Sequence, residues 1–107
     1  MKVVFLESAE ADLQELRRYI LKDFGPGTWR SSFAKIKKAV ALIAAEPRAG
    51  RLLPEFESLN IAAYRQVLAG MNRIIYEVQD EVAYIYVVCD TRRDLQGLLL
   101  RRLVRGL

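Results

Sequence analysis

The sequence predicts an α+β fold: an N-terminal strand, a two-helix antiparallel hairpin, and a mainly antiparallel sheet completed by a three-strand meander, with a short C-terminal helix or tail. Three observations predict it. A β-branched and aromatic run, Val3 to Leu6, opens the chain. Two apolar stripes at helical spacing follow, separated by Gly25-Pro26-Gly27. From Tyr64 onward the pattern becomes strand-like, broken by turn residues at Gly70 to Asn72 and at Gln79 to Glu81.

The elements follow in order. After the first strand, Ser8 is suited to cap a helix with Glu10 and Asp12 in its first turn, where the helix dipole favours anions. Ala9, Leu13, Leu16, Ile20 and Phe24 recur every three or four residues and form one apolar face. Glycine and proline then stop the helix. A second helix runs from about Thr28 to Glu46 and ends at Pro47, with Trp29, Phe33, Ile36, Val40 and Ile43 as its inner stripe. Lys35, Lys37 and Lys38 fall outside that stripe and read as a solvated face, since no aromatic residue sits among them to stack a base. Pro47 to Ala63 reads as an irregular connection. Tyr64 to Leu68, Arg73 to Val78 and Val82 to Cys89 are the strands of the meander. Two helices on one sheet face leave the other face partly open, where a polar site can sit.

Composition excludes several function classes. At 107 residues the chain is one domain, 1–107, and with 52% hydrophobic and 28% charged residues it has the make-up of a folded one. The longest apolar runs, such as Ala39 to Ala45, are too short to span a bilayer, and the opening run meets acids too soon for a signal peptide. No membrane partner is expected. A single cysteine, Cys89, permits no internal disulfide and suits the cytoplasm, where it reads as a buried, inert thiol. There is no histidine, which removes Ser-His-Asp and Cys-His catalysis and any zinc site built on imidazole. No metal and no cofactor are expected. Acid–base chemistry would fall to Glu, Asp, Tyr, Lys or a water held by Arg.

Charge is concentrated at the end of the chain. From Cys89 onward, Arg92, Arg93, Arg101, Arg102 and Arg105 face only Asp90 and Asp94, which accounts for three of the net charge of +4. A basic end suits an acidic partner, either nucleic acid or protein. Within "TRRD", pairing of Asp94 with Arg93 or a strand arginine would lock the turn after the last strand.

Three stretches, in this order, carry a resemblance. They are the opening "VVFLESAEADLQELRRYI", the helix exit "AAEPRAGRLLPE", and "YRQVLAGMNRIIYEVQDEVAYIYVVCDTRRD". Together they resemble the toxins of bacterial type II toxin–antitoxin systems, the superfamily that holds the ParE and RelE families, over nearly the whole chain. RelE-type toxins are ribosome-dependent messenger RNA endoribonucleases; ParE toxins share the scaffold and poison DNA gyrase. The nuclease pattern is half present here. Arg65, Arg73 and Arg92 or Arg93 match its basic positions, whereas Val67 stands where a further lysine is common and Leu98 where a tyrosine is expected. Cleavage by a 2′-hydroxyl needs a base and an acid, and arginine, with a pKa above about 12, serves poorly as either.

The resemblance therefore implies a ParE-type gyrase inhibitor neutralised by a cognate antitoxin, with no catalytic residues. The alternative is a RelE-type endoribonuclease; a third reading is a non-toxic binding module of the same fold. On the first reading Arg65, Arg73, Arg92 and Arg93 form a target-recognition or structural set. Tyr76 is read as sheet packing rather than a proton donor. The antitoxin is expected to cover the leucine-rich end, at Leu95, Leu98, Leu99, Arg101, Arg102 and Arg105, in a toxin–antitoxin hetero-oligomer.

Overall fold

The computed structural model describes residues 1–53, 64–92 and 94–104, without the side chains of Gln96, Leu99, Leu103 and Val104. The chain runs β1 (Lys2–Phe5), α1 (Glu7–Asp23), α2 (Pro26–Ala45), β2 (Arg51–Leu52), β3 (Arg65–Ala69), β4 (Asn72–Gln79), β5 (Val82–Asp90) and α3 (Leu95–Val104). Among the described residues the strands form one sheet in the order β1-β5-β4-β3-β2, with β1 parallel to β5 and the other pairs antiparallel. The expected strand, helical hairpin and meander are all present.

Local chemistry explains where the elements begin. Leu6 N–H donates to Ile85 O and Leu6 O accepts from Glu10 N–H, so the chain leaves the sheet and enters α1 without a linker. The expected Ser8 cap is absent: the helix starts at Glu7, and the buried Ser8 hydroxyl has no partner among the described residues. Asp12 is likewise not spent on the helix dipole. Gly25, at φ 91°, turns the chain in a backbone region that side chains disfavour, and Pro26 then opens α2 at its first turn, where a missing N–H costs nothing. Phe24 leaves the expected stripe, because it caps α1 and is 60% exposed.

Helix stripes and strand alternation meet in a first core of Ala9, Ile36, Ala39, Ile43, Ile74, Tyr76, Ile85 and Val88, among others, between the helical hairpin and the sheet. Each fully buried isoleucine contributes roughly 1.5–3 kcal/mol by leaving water. Trp29 stacks on Phe33 and stays half-buried at its margin.

The opposite sheet face is more covered than expected. A second core of Leu53, Tyr64, Ile75, Val87, Cys89 and Leu95, with Tyr86 and Leu98 against it, places α3 on that face. A β-bulge supplies part of it. Ile75 pairs with Val87 and Tyr76 with Ile85, leaving Tyr86 as the extra residue on β5. Tyr86 and Val87 thus belong to the second core and Val88 to the first, although unbroken strand alternation would put Tyr86 and Val88 on one face. Part of the connection read as irregular forms β2, which pairs Arg51 with Gln66 and Leu52 with Arg65. The rest of that stretch, 54–63, lies outside the described residues.

Candidate functional site

The second motif and two strand residues of the third meet at the end of α2. The Tyr76 hydroxyl, on a residue with no solvent exposure, donates to Pro47 O at 2.6 Å and accepts from Gly50 N–H at 3.1 Å. A Cβ on residue 50 would collide with that hydroxyl. Beside it Arg65 Nη1 donates to Arg48 O at 3.1 Å and to Gly50 O at 2.8 Å. Arg65 and Tyr76 are direct cross-strand partners, so both face the helical hairpin. Burial pushes the Tyr76 phenol up, opposed by the Gly50 hydrogen bond and the Arg65 charge. Proline, glycine, tyrosine and arginine at this spacing therefore brace the helix exit.

Arg73 lies on the other side of the sheet. It pairs with Cys89, which belongs to the second core, and its Nη2 donates to Thr91 O at 2.8 Å. Because β3 and β4 are in register through Ala69 and Asn72, Arg65 and Arg73 project from opposite faces. The two-residue Gly70-Met71 turn carries this information: once it sets the register, strand parity separates the two arginines. Gly70, at φ 65°, is the residue that lets the turn close.

Arg92 is the free-standing member of the set. Its side chain is 80% exposed and pairs with Asp90 at 2.9 Å. The Arg92 guanidinium holds the Asp90 carboxyl down at about 2. Arg93 lies outside the described residues, as does its expected pairing with Asp94. Asp94 accepts from Gly97 N–H at 3.1 Å and caps α3. Arg65, Arg73 and Arg92, the three that are described, thus do not converge on one point.

The C-terminal set also divides. Leu95 is buried and Leu98 packs on the second core. Arg102 is held by Asp12 at 2.5 Å and donates to Tyr86 O at 2.9 Å. Arg101 is exposed, while Arg105 and the Leu99 side chain lie outside the described residues. Sequence reasoning missed Asp12, whose carboxylate also accepts from Val88 N–H at 3.0 Å. Its neighbours in sequence mark it only as a helix acid.

A family model for the ParE toxin of type II toxin–antitoxin systems, parDE, matches residues 3–95. The chain belongs to the ParE toxin family. The match takes in the helical hairpin and the described strands, β1 from Val3 onward, and stops at the first residue of α3. Among solved structures, the chromosomal ParDE toxin–antitoxin system from P. aeruginosa is similar in fold, with a TM-score of 0.64 at 18% identity, over 84% of this chain and 95% of that one. No curated protein sequence matches the chain. Among the described residues no helix is long and apolar enough to cross a membrane, and no cluster of acidic or sulfur side chains could hold a metal ion.

Proposed function

We propose that this ParE-family toxin acts by binding DNA gyrase rather than by cutting RNA, and is held inactive in a hetero-oligomer with a cognate antitoxin. One observation carries the choice: Arg65 and Arg73 stand on opposite faces of the sheet, each already holding backbone carbonyls. Phosphate stabilisation in a nuclease requires cations aimed at one phosphate, and proton transfer requires a base and an acid beside it. The Tyr76 hydroxyl is enclosed by Pro47 and Gly50, and Leu98, at the position where nucleases of this superfamily carry tyrosine, packs on the second core. That leaves Arg92 as an exposed cation suited to recognition.

The test compares two purified systems. With gyrase, the chain should block supercoiling or accumulate cleaved DNA; on translating ribosomes, messenger RNA should stay intact. Codon-dependent cuts on ribosomes with supercoiling unaffected would overturn the reading in favour of an endoribonuclease.

A further inference from the structure

The sheet face away from the helical hairpin carries a buried carboxylate without a counter-ion among the described residues. Glu77 is 6% exposed and lies two residues from Ile75 on β4, so it points to the face of the second core. Its carboxylate accepts from Gln79 Nε2 at 2.5 Å, and an amide brings no charge to offset it. The ion pairs among the described residues are Asp12–Arg102 and Asp90–Arg92, and neither involves Glu77. Arg102, which does reach β5, is spent on Asp12 and Tyr86 O. Buried carboxylates are ordinarily paired, because burial strips the charge of its hydration. In a chain of net charge +4, with 17 basic residues to draw on, that omission is informative.

Three tyrosines surround the carboxylate. Tyr84 is its direct cross-strand partner on β5. The β3–β4 register pairs Arg65 with Tyr76, and one residue further it places Tyr64 across from Glu77 on the other side. Tyr86, the extra residue of the bulge, stands edge-to-face with Tyr64, ring centroids 5.1 Å apart. The phenols feel the carboxylate: burial pushes Tyr64 and Tyr86 up, and the Glu77 charge acts on both in the same direction. Tyr64 is buried, whereas Tyr84 and Tyr86 are half-buried and Gln79 is exposed, so the cluster opens to solvent at the Gln79 end of β4.

The chemistry selects the ligand. A carboxylate and phenolic oxygens accept hydrogen bonds, and tyrosine rings offer electron-rich faces to cations. A guanidinium matches this set better than an ammonium does. It holds five N–H donors in one plane, keeps its charge, and stacks on aromatic rings. Phosphate would be repelled by the uncompensated carboxylate. The cluster is thus opposite in sign to the arginine-rich end of the chain.

We propose that Glu77 and the tyrosines around it form a subsite for an arginine side chain of the target protein, an inference that rests on the target reading above. The arginine takes the place of the Gln79 amide, supplies the charge that Glu77 lacks, and lies against Tyr84 and Tyr86. Without a partner the carboxylate is a local cost to the fold. That cost makes the site selective, since a neutral side chain leaves the charge uncompensated.

The probe is N-acetyl-arginine amide, with N-acetyl-citrulline amide as its uncharged counterpart, titrated while NMR follows the Glu77 carboxyl and the Tyr84 and Tyr86 rings. The arginine probe should shift these signals saturably, and the citrulline probe should need about 10-fold more or higher for the same shift. Glu77→Gln should abolish the response. The same change removes a buried uncompensated charge, so its Tm should be no lower than that of the wild type, which separates lost binding from lost structure. In a supercoiling assay Glu77→Gln should need about 10-fold more protein for half-inhibition of gyrase. No saturable shift, or equal shifts with the two probes, overturns the subsite even if gyrase is inhibited. A Tm that falls in Glu77→Gln shows the carboxylate to be paired within the chain and overturns it too. A response abolished by Glu77→Gln, in a variant that inhibits gyrase as the wild type does, overturns the assignment to the target. Failure of the wild type itself to inhibit gyrase is a separate result, which removes the target reading and the assignment with it.

Discussion

Asp12 and Arg102, ninety positions apart in the chain, form an ion pair at 2.5 Å whose side chains are only 13% and 16% exposed. The pair fills a gap that β1 leaves. β1 accompanies β5 as far as Ile85, and beyond it Asp12 accepts from Val88 N–H while Arg102 donates to Tyr86 O. One carboxylate and one guanidinium thus bind α1, the bulged strand and α3 together.

Removing either partner strands the other in a partly buried site, so Arg102→Ala and Asp12→Ala should each cost about 2–4 kcal/mol. For a domain of this size that lowers Tm by roughly 10 °C or more. Thermal unfolding of both variants and of the double variant checks it. The double should cost less than the two singles added, because the deletions share one interaction. Strict additivity would show that the two groups act independently.

Tyr76→Phe removes one hydroxyl and leaves the buried Gly50 N–H and the half-buried Pro47 O without that partner. The expected loss is about 1–3 kcal/mol, read as a lower Tm. Gly50→Ala should be at least as damaging, since its methyl collides with the same hydroxyl. Combining the two should recover part of the Gly50→Ala loss, because phenylalanine lacks the atom struck first. A Gly50→Ala variant of unchanged stability would show that the turn can move away from Tyr76.

Much of the fold was legible because period and turn residues report it directly. Leu13, Leu16 and Ile20 keep to a helical face, and Gly70 marks the hairpin that sets the β3–β4 register. What escaped depends on features that periodicity does not encode. The bulge at Tyr86 moves Val88 to the other face without any change in composition. Phe24 continues the spacing of α1, but Gly25 has already turned the chain, so the ring faces solvent. Asn72 reads as a turn residue, and only the packed structure shows it 7% exposed where β4 begins. The arginines suggest a site when counted by type; strand parity then separates Arg65 from Arg73.

The arginines should separate again under mutation. Arg65→Ala and Arg73→Ala remove hydrogen bonds to Gly50 O and Thr91 O, so both should lower Tm. Arg92→Ala should lower Tm only slightly, because the pair it breaks is solvent-exposed, and let the Asp90 carboxyl rise from about 2 toward its ordinary 3.8. If Arg92 serves recognition, that variant also loses growth inhibition while staying folded. Pairing each melting curve with a growth assay decides between the roles, and an Arg92→Ala chain as toxic as the parent would remove Arg92 from the target surface.

The last expectation concerns alkaline unfolding. Burial first, then the nearby Tyr86 and the Glu77 charge, pushes the Tyr64 phenol up to about 12; burial and Glu77 raise Tyr86 as well, and burial raises Tyr76. A phenol whose folded pKa exceeds its unfolded value near 10 binds its proton more tightly in the native state. Its stabilising effect is complete below about pH 10 and is lost as pH rises through the folded value. The chain should therefore lose stability between pH 10 and about 12, and tyrosinate absorbance should rise together with loss of structure. Tyr64→Phe removes one of these titrations, so stability should fall less steeply with pH in that window even if the variant starts from a lower value. Denaturant unfolding at a series of alkaline pH values reads the slope directly. An unchanged slope would mean that Tyr64 ionises alike in the folded and unfolded chain.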